Sequence, residues 1–336
     1  MHNGEYMKIV IIGPRYHTNQ VCMVRIFKER GHNVYFHTLL KGATEDYSLI
    51  EPLVLEESAI SRIIGRLIPR KGRNKPKAFP SIIKYFFHLL KLKPDIFIIR
   101  EPDRYFSKLA AILALLMRAR IVFYSQEELY QHRKWKTRLK KSLNIALFRA
   151  SWMTPIIGKI ENNNKPINHM YYVPLPVSIS DNNIRNNSSI DGRIRLLFIG
   201  KFHQIRKKHI LLLEALSYLK DKYNFELTMI GECVTEPQKI RSKIIENYII
   251  AKGLKDIVKL KMNIPYSGMS NYYASSDIFV LPAVDEPYAI SVSEALGYGL
   301  PVICTDTCGA RFHIKNGVNG FVIESNSLNS LVGALE

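Results

Sequence analysis

The 336-residue sequence has few cysteines and no long apolar segment, and both absences exclude classes of protein. Its four cysteines form no Cys-x-x-Cys pair and have no histidine partner at metal-ligand spacing. We therefore exclude a disulfide scaffold and expect buried thiols in a reducing cytosol. The longest apolar run, Leu109–Met117, is far shorter than the roughly 20 residues that span a bilayer. We expect no secretory leader, because the apolar stretch Ile9–Ile12 is too short for one and has the character of a strand.

Acidic residues are scarce as well, with 29 Asp and Glu against 48 Lys and Arg and a net charge of +19. Residues 1–180 hold 30 basic and 13 acidic residues, whereas residues 181–336 hold 18 and 16. Such a basic excess is typical of proteins that meet nucleic acid, anionic membranes or phosphorylated ligands. The sequence has no zinc finger, RNP-like aromatic motif or basic zipper, so we expect no nucleic-acid partner.

Short apolar runs alternate with amphipathic stretches, which predicts parallel β-sheets with crossover helices. This alternation stops in the Pro-, Asn- and Ser-rich segment 174–192 and resumes after it. We therefore predict an α/β chain of two doubly wound Rossmann-like domains, 1–173 and 193–336, facing each other across a cleft. The predicted strands are Lys8–Ile12, Asn33–His37, Asp95–Ile99, Ile121–Tyr124, Ile194–Ile199, Phe225–Ile230, Ile257–Leu260, Asp277–Leu281 and Pro301–Cys304.

Two carboxylates flank a predicted helix start in the second half. Glu286 lies in the loop after strand Asp277–Leu281, and Glu294 lies about one turn into helix Ile290–Leu296. Amides of a first helical turn, here around Ala289–Ser291, have no intrahelical acceptor and can bind a phosphate. The arrangement offers two acceptors for sugar hydroxyls beside an anion site, and the alternative is a pair of surface glutamates.

A basic loop that starts with glycine follows the predicted strand Ile194–Ile199. It reads GKFHQIRKKH and contains four cations, which are Lys201, Arg206, Lys207 and Lys208. Such a loop suits a diphosphate, because Lys and Arg neutralise the charge that builds on a leaving phosphate. A solvated basic loop is the alternative interpretation.

Together these motifs resemble glycosyltransferase family 4, the glycosyl transferases group 1, which have the GT-B fold. The resemblance is carried by Glu-x7-Glu at Glu286 and Glu294, and by Gly-Lys-x5-Lys at Lys201 and Lys207. The stretch VICTDTCGARFHIKNGVNGFV, residues 302–322, completes it in the second half. In the first half, only the general layout and the turn Arg30-Gly31-His32-Asn33-Val34 carry the resemblance.

The resemblance implies transfer of a sugar from a UDP- or GDP-sugar with retention of anomeric configuration. Lys201 and Lys207 would hold the donor's diphosphate, and Glu286 would contact the transferred sugar and support charge at its reacting carbon. Glu294 would hydrogen-bond the ribose. The implied donor site also includes Gly200, Arg206, Ala289, Ile290, Ser291 and Gly309. No cofactor or metal is expected, because the paired cations would replace Mg²⁺ and the sequence has no Asp-x-Asp triplet.

The sequence departs from the family's pattern at several positions. Ala289 stands where the family usually has glycine, Phe312 where it has Glu, and Lys201 where it has Arg. The donor sugar is therefore less well defined than the reaction class. The chain ends in the predicted helix Ser327–Glu336, whereas the family's pattern continues to a further helix, so we expect a fragment or a truncated chain.

The resemblance places the acceptor on the first domain, where polar side chains follow predicted strand ends. The acceptor-side candidates are His17, Arg100, Glu101, Glu127 and Glu128. For His17, an ordinary histidine at a helix start is the alternative.

The basic excess of the first half is concentrated in two stretches. Residues 62–93 contain ten Lys and Arg and no acid, and residues 133–149 contain seven, in both cases interleaved with apolar residues. Basic amphipathic segments are typical of membrane interfaces, and the cytoplasmic leaflet is anionic. We hypothesise a cytoplasmic, peripheral enzyme on the inner face of the cell membrane. It would extend a polyprenyl-diphosphate-linked glycan of the surface polysaccharide, O-antigen or capsule type.

Three alternatives stay open at this point. The basic stretches could be solvated helix faces instead of membrane contacts. The acceptor could be a soluble small molecule, or the chain could be a glycosyltransferase-like scaffold without activity.

Overall fold

The computed structural model describes residues 6–16, 20–41, 45, 47–67, 77–130, 135–160, 165–179 and 192–336. The chain divides into two compact units, a first unit of Met1–Pro176 and a second unit of Val177–Glu336. Each unit is built around its own parallel sheet, so the prediction of two doubly wound domains is confirmed. Most of the expected linker, residues 180–191, lies outside the described residues.

The strands of the first unit are β1 (Lys8–Ile12), β2 (Asn33–Thr38), β3 (Leu53–Val54), β4 (Ile96–Arg100), β5 (Arg120–Tyr124), β6 (Glu128–Tyr130), β7 (Ser151–Thr154), β8 (Ile156–Gly158) and β9 (Met170–Tyr172). Within the described residues, seven of these strands form one parallel sheet in the order β3-β2-β1-β4-β5-β7-β9, and β6 pairs with β8. The helices are α1 (Val21–Glu29), α2 (Ala59–Leu67), α3 (Ile82–Leu92), α4 (Tyr105–Leu116) and α5 (Trp135–Phe148).

The strands of the second unit are β10 (Ile194–Ile199), β11 (Phe225–Gly231), β12 (Val258–Met262), β13 (Ile278–Leu281), β14 (Val302–Thr305) and β15 (Gly320–Ile323). They form a parallel sheet in the order β12-β11-β10-β13-β14-β15. The helices are α6 (His209–Leu219), α7 (Glu236–Ala251), α8 (Met269–Ala274), α9 (Ile290–Gly297) and α10 (Leu328–Leu335).

The central strands are apolar over most of their length because helices cover both faces of each sheet. In β1 and β4, four of five residues are buried, and β13 and β14 are buried almost throughout. Each unit has its own hydrophobic cluster, centred on these strands and on the inward faces of the helices. The strong apolar runs of the sequence therefore correspond to the middle of each sheet.

Each sheet has one point at which the strand order reverses. In the first unit β1 lies between β2 and β4, and in the second unit β10 lies between β11 and β13. Ligands of open parallel sheets bind outside the carboxyl ends of the strands at such a point. The loops after β10 and β13, and those after β1 and β4, are therefore the expected binding positions.

Candidate active site

In the second unit, the loops that follow β10 and β13 are joined by backbone hydrogen bonds. The amide of Val284 donates to the carbonyl of Arg206 at 2.8 Å. The amide of Gly309 donates to the carbonyl of Glu286 at 2.9 Å, which also ties in the loop after β14. Three loops at the carboxyl edge of the sheet thus hold each other in place, and their side chains converge.

At the centre of this arrangement, Glu286 forms ion pairs with two cations of the basic loop. Its Oε2 lies 2.7 Å from Lys207 Nζ and also accepts a hydrogen bond from Arg206 Nη1. Glu286 and Lys207 are 7% and 8% exposed, so both charges are largely withdrawn from water. Buried charges persist when they are paired and hydrogen-bonded, and Glu286 is the group that compensates the loop's cations. The sequence predicted these residues at one site, and the structure brings them into contact.

Lys201, the third predicted cation, pairs with a residue that the sequence did not single out. Its Nζ lies 2.6 Å from Glu232 Oε2, just beyond the end of β11. Gly200 precedes it at a crowded position, where a Cβ would lie 3.1 Å from the Phe198 ring and 3.2 Å from Lys207 Cδ. A side chain here would require Phe198 or Lys207 to shift by a few tenths of an ångström.

Glu294 is buried in α9, and two tyrosines hydrogen-bond its carboxylate. Tyr266 donates to Oε1 at 3.0 Å, and Tyr273 donates to Oε2 at 2.7 Å. Burial raises the pKa of the Glu294 carboxyl, and the two hydrogen bonds act in the opposite direction. Tyr273 also stacks on Tyr298, with ring centroids 5.2 Å apart. These tyrosines fix the carboxylate in one orientation, and sequence reasoning missed them because they lie more than 20 residues from Glu294.

The start of α9 has an unusual backbone conformation at Ala289, with φ at 64°. Left-handed backbone costs an L-residue with a Cβ roughly 1–2 kcal/mol, whereas glycine adopts it readily. Ile290 and Ser291 follow as the first helical residues, and their amides have no acceptor four residues earlier in the helix. Gly309 and Ala310 are buried in the adjoining short helical turn.

Replacing Ala289 with glycine is expected to stabilise the protein by about 0.5–1 kcal/mol, because it relieves the strain of the left-handed backbone. This gain exceeds two smaller losses, which are the buried methyl group and the lower conformational entropy that alanine gives the unfolded chain. The measurement is urea unfolding followed by circular dichroism. The matched control is Ala251→Gly at the exposed end of α7, where the same change should destabilise by a similar amount. A lower unfolding free energy for Ala289→Gly would contradict the strained conformation.

The predicted acceptor-side residues all belong to the first unit, and the structure gives them different surroundings. Arg100 ends β4 and is 6% exposed, whereas Glu127 forms an ion pair with Lys141. Glu128 begins β6 and is half-buried. His17 lies outside the described residues.

Among the residues that the structure describes, no group of three or more His, Cys, Asp or Glu side chains is arranged to hold a metal ion. The thiols of Cys22, Cys304 and Cys308 are buried, and that of Cys233 is half-buried.

Residues 180–336 match the family model described as glycosyl transferases group 1. The D-inositol 3-phosphate glycosyltransferase of Thermobispora bispora is 23% identical over 139 residues, which cover 40% of this chain and 32% of that protein. The UDP-Gal:alpha-D-GlcNAc-diphosphoundecaprenol alpha-1,3-galactosyltransferase of Escherichia coli is 38% identical over 65 residues, or 19% of this chain and 17% of that protein. The matched part of this chain thus spans about a third of the first relative's length, and less of the second's.

The fold has close counterparts among solved structures. Anabaena Alr3699/HepE, solved in complex with UDP and glucose, superposes with a TM-score of 0.69 at 16% identity. The superposition covers 98% of this chain and 88% of that protein. At this identity the likeness concerns the fold.

Proposed function

We propose that this protein transfers a sugar from a nucleotide diphosphosugar, because residues 180–336 match the model of the glycosyl transferases group 1 and the chain has the GT-B fold. The donor is a UDP- or GDP-sugar, and the anomeric configuration is retained. The reaction needs no metal ion. The acceptor is a membrane-associated glycan linked to a polyprenyl diphosphate, as in the synthesis of surface polysaccharides.

The observation that carries the proposal is the contact of Arg206 and Lys207 with Glu286. When the bond between the sugar's reacting carbon and the diphosphate breaks, negative charge builds on the leaving phosphate. Two fixed cations stabilise that charge, and they act strongly because Lys207 is largely shielded from water. The Glu286 carboxylate faces the same point and supports the positive charge that develops on the sugar.

The surroundings of Glu294 support a role in holding the donor's ribose. Both carboxylate oxygens accept tyrosine hydroxyls, so the side chain has a fixed orientation. Each oxygen has a second lone pair for a ribose hydroxyl. The first-turn amides of α9, at Ile290 and Ser291, are placed to bind a sugar or phosphate oxygen.

The proposed membrane contact is supported by exposed apolar side chains on the basic helices of the first unit. In α5, Trp135, Leu143 and Leu147 are 68%, 58% and 65% exposed. With Leu139 they recur every four residues and form one stripe, which alternates with the helix's cations. In α3, Ile83 and Phe87 are 70% and 64% exposed. An apolar stripe with flanking cations is suited to the anionic surface of a bilayer.

None of the helices in the described residues is long and apolar enough to cross a membrane.

The choice of acceptor has support from the relatives' names. The Escherichia coli relative is named for a diphosphoundecaprenol-linked acceptor, which agrees with a lipid-linked glycan. The Thermobispora bispora relative is named for D-inositol 3-phosphate, and it favours a second candidate, a transferase that acts on a soluble small molecule. Membrane binding distinguishes the two, because a soluble acceptor does not require it.

A thermal-shift screen against nucleotide sugars tests the proposed reaction. A ligand at 100 times its dissociation constant stabilises the folded protein by about 2.7 kcal/mol, which raises the Tm by roughly 5–10 °C for a unit of this size. We expect one UDP- or GDP-sugar to give such a shift, and UMP, GMP and the sugars alone to give less. No shift with any nucleotide sugar contradicts the proposal. For the donor that binds, NMR of the product tests retention, and added EDTA tests independence from metal.

A further inference from the structure

A buried arginine in the first unit has no carboxylate partner among the described residues. Arg100 is 6% exposed, and its Nη1 donates to Gln20 Oε1 at 2.8 Å. Its guanidinium also lies 5.2 Å from the centre of the Tyr124 ring. Both partners are neutral. A buried charge without a counter-charge is costly, so an anion at this place would stabilise it.

The two carboxylates that act electrostatically on Arg100 lie against other arginines. Glu101, the next residue, pairs with Arg104. Glu45 lies 4.0 Å from Arg15. Both carboxylates act electrostatically on Arg100, but each of them is also shared with another arginine, and burial still lowers the pKa of Arg100.

Two buried hydrogen-bond donors at the same place also lack an acceptor in the described part of the chain. They are Arg100 Nε and Gln20 Nε2, and Gln20 is 2% exposed. An unsatisfied buried donor costs about 1–3 kcal/mol, and native structures contain few of them. Here the two unsatisfied donors belong to side chains that contact each other. They indicate an acceptor that binds from outside the chain.

The position in the fold agrees with an anion site. Gln20 is the N-cap residue of the nine-residue helix α1, and its side chain makes no capping bond there. Arg100 ends β4, which neighbours β1 at the point where the strand order of the first sheet reverses. The turn after β1 approaches closely, since a Cβ on Gly13 would lie 3.5 Å from Arg100 Cδ. Through its contact with Gln20, the Arg100 guanidinium therefore lies beside the start of α1, at the edge where such sheets bind ligands.

We propose that the side chains of Arg100 and Gln20, beside the start of α1, bind a phosphoryl group of the acceptor. The guanidinium provides the charge and the Nε–H, and Gln20 provides a neutral N–H donor. That the phosphoryl group belongs to the acceptor rests on the proposed function, whereas the anion site rests on the contacts of Arg100 and Gln20 alone. The lipid diphosphate of the proposed acceptor has the required chemistry.

The test measures the Tm of the full chain with inorganic phosphate and, separately, with a short prenyl diphosphate. All samples have the same ionic strength and carry Lys207→Met, which weakens anion binding in the second unit. Arg100→Met and Gln20→Leu are compared with Arg120→Met, which removes the same charge from an exposed residue at the opposite end of the sheet. We expect both probes to raise the Tm by several degrees, an effect that Arg100→Met abolishes and Arg120→Met preserves.

The Tm without ligand separates an anion site from a structural role. Because Arg100 is buried and forms no direct ion pair within the described residues, Arg100→Met should melt at the same temperature as the parent or higher. A Tm several degrees lower, or an unchanged response of Arg100→Met to both probes, overturns the anion site. A response to inorganic phosphate but not to the prenyl diphosphate overturns the assignment to the acceptor.

The proposed function has a separate test, which is the Tm shift that nucleotide sugars cause in the protein without Lys207→Met. It should persist in Arg100→Met, since the donor residues lie in the other unit. If it is missing in the unsubstituted protein while the Arg100-dependent phosphate response is present, the proposed function fails and the anion site stands.

Discussion

Replacing Lys207 with methionine is expected to lower the rate of sugar transfer by about 10²–10³-fold, the loss typical of removing one preorganised group that stabilises developing charge. The Lys207 side chain is largely buried, and its ammonium lies 2.7 Å from Glu286 Oε2. Because little water reaches it, its charge is poorly screened by solvent and salt when it acts on the leaving diphosphate. The measurement is kcat at saturating nucleotide sugar, followed by release of the nucleoside diphosphate.

Glu286→Gln separates catalysis from binding at the same site. The amide keeps the shape of the side chain but no longer neutralises Arg206 and Lys207, so the donor's diphosphate meets no competing carboxylate. We expect kcat to fall by at least about 10²-fold while the affinity for the nucleoside diphosphate is unchanged or higher. The matched control is Lys243→Met, which removes an exposed lysine of the same unit. Full turnover in both site variants would contradict the proposed roles of Lys207 and Glu286, and no turnover in the unsubstituted protein would support a scaffold instead.

Removing six exposed cations from the first unit is expected to weaken binding to anionic vesicles by at least about 10³-fold. Each Lys or Arg near an anionic leaflet contributes about 1 kcal/mol, and tenfold in affinity corresponds to about 1.4 kcal/mol. The measurement is flotation with vesicles that contain phosphatidylglycerol, at physiological salt. The substituted residues, each changed to Gln, are Lys84, Lys91, Lys93, Lys136, Lys140 and Arg149.

The matched control removes the same number of exposed lysines from the second unit. They are Lys239, Lys243, Lys252, Lys255, Lys259 and Lys261. If binding depends on net charge alone, both variants lose affinity equally, and the assignment to α3 and α5 fails. Leu143→Ser adds a separate test of the apolar stripe, since it leaves the charge unchanged and should still reduce binding. If the unsubstituted protein does not float, the proposed membrane contact is wrong and the soluble acceptor is favoured.

The sequence was sufficient to predict the central strands of both sheets, because burial dominates them, whereas the outer strands Ser151–Thr154 and Gly320–Ile323 were missed. Lys8–Ile12 and Ile194–Ile199 are apolar runs of strand length, and the structure has strands with the same bounds. Short strands such as Leu53–Val54 and Ile156–Gly158 were missed. They contain two or three residues, and neighbouring strands rather than local sequence determine them.

The candidate site was predictable to the extent that its residues share one loop or one helix. Glu286 and Glu294 flank a strand-to-helix junction, so their spacing along the chain indicated a common site. Tyr266 and Glu232 could not be found in this way, because tertiary packing brings each to its partner. The burial of Arg100 was also invisible in the sequence, since an arginine after a strand is usually solvated.

The pairing of Glu286 with Arg206 and Lys207 has a consequence for the end of the proposed reaction. In that reaction, the nucleoside diphosphate product still carries, after transfer, the charge that these cations hold. The Glu286 carboxylate can pair with the same two cations, as it does in the structure. It therefore competes with the departing product, and the exchange of one negative group for another assists its release.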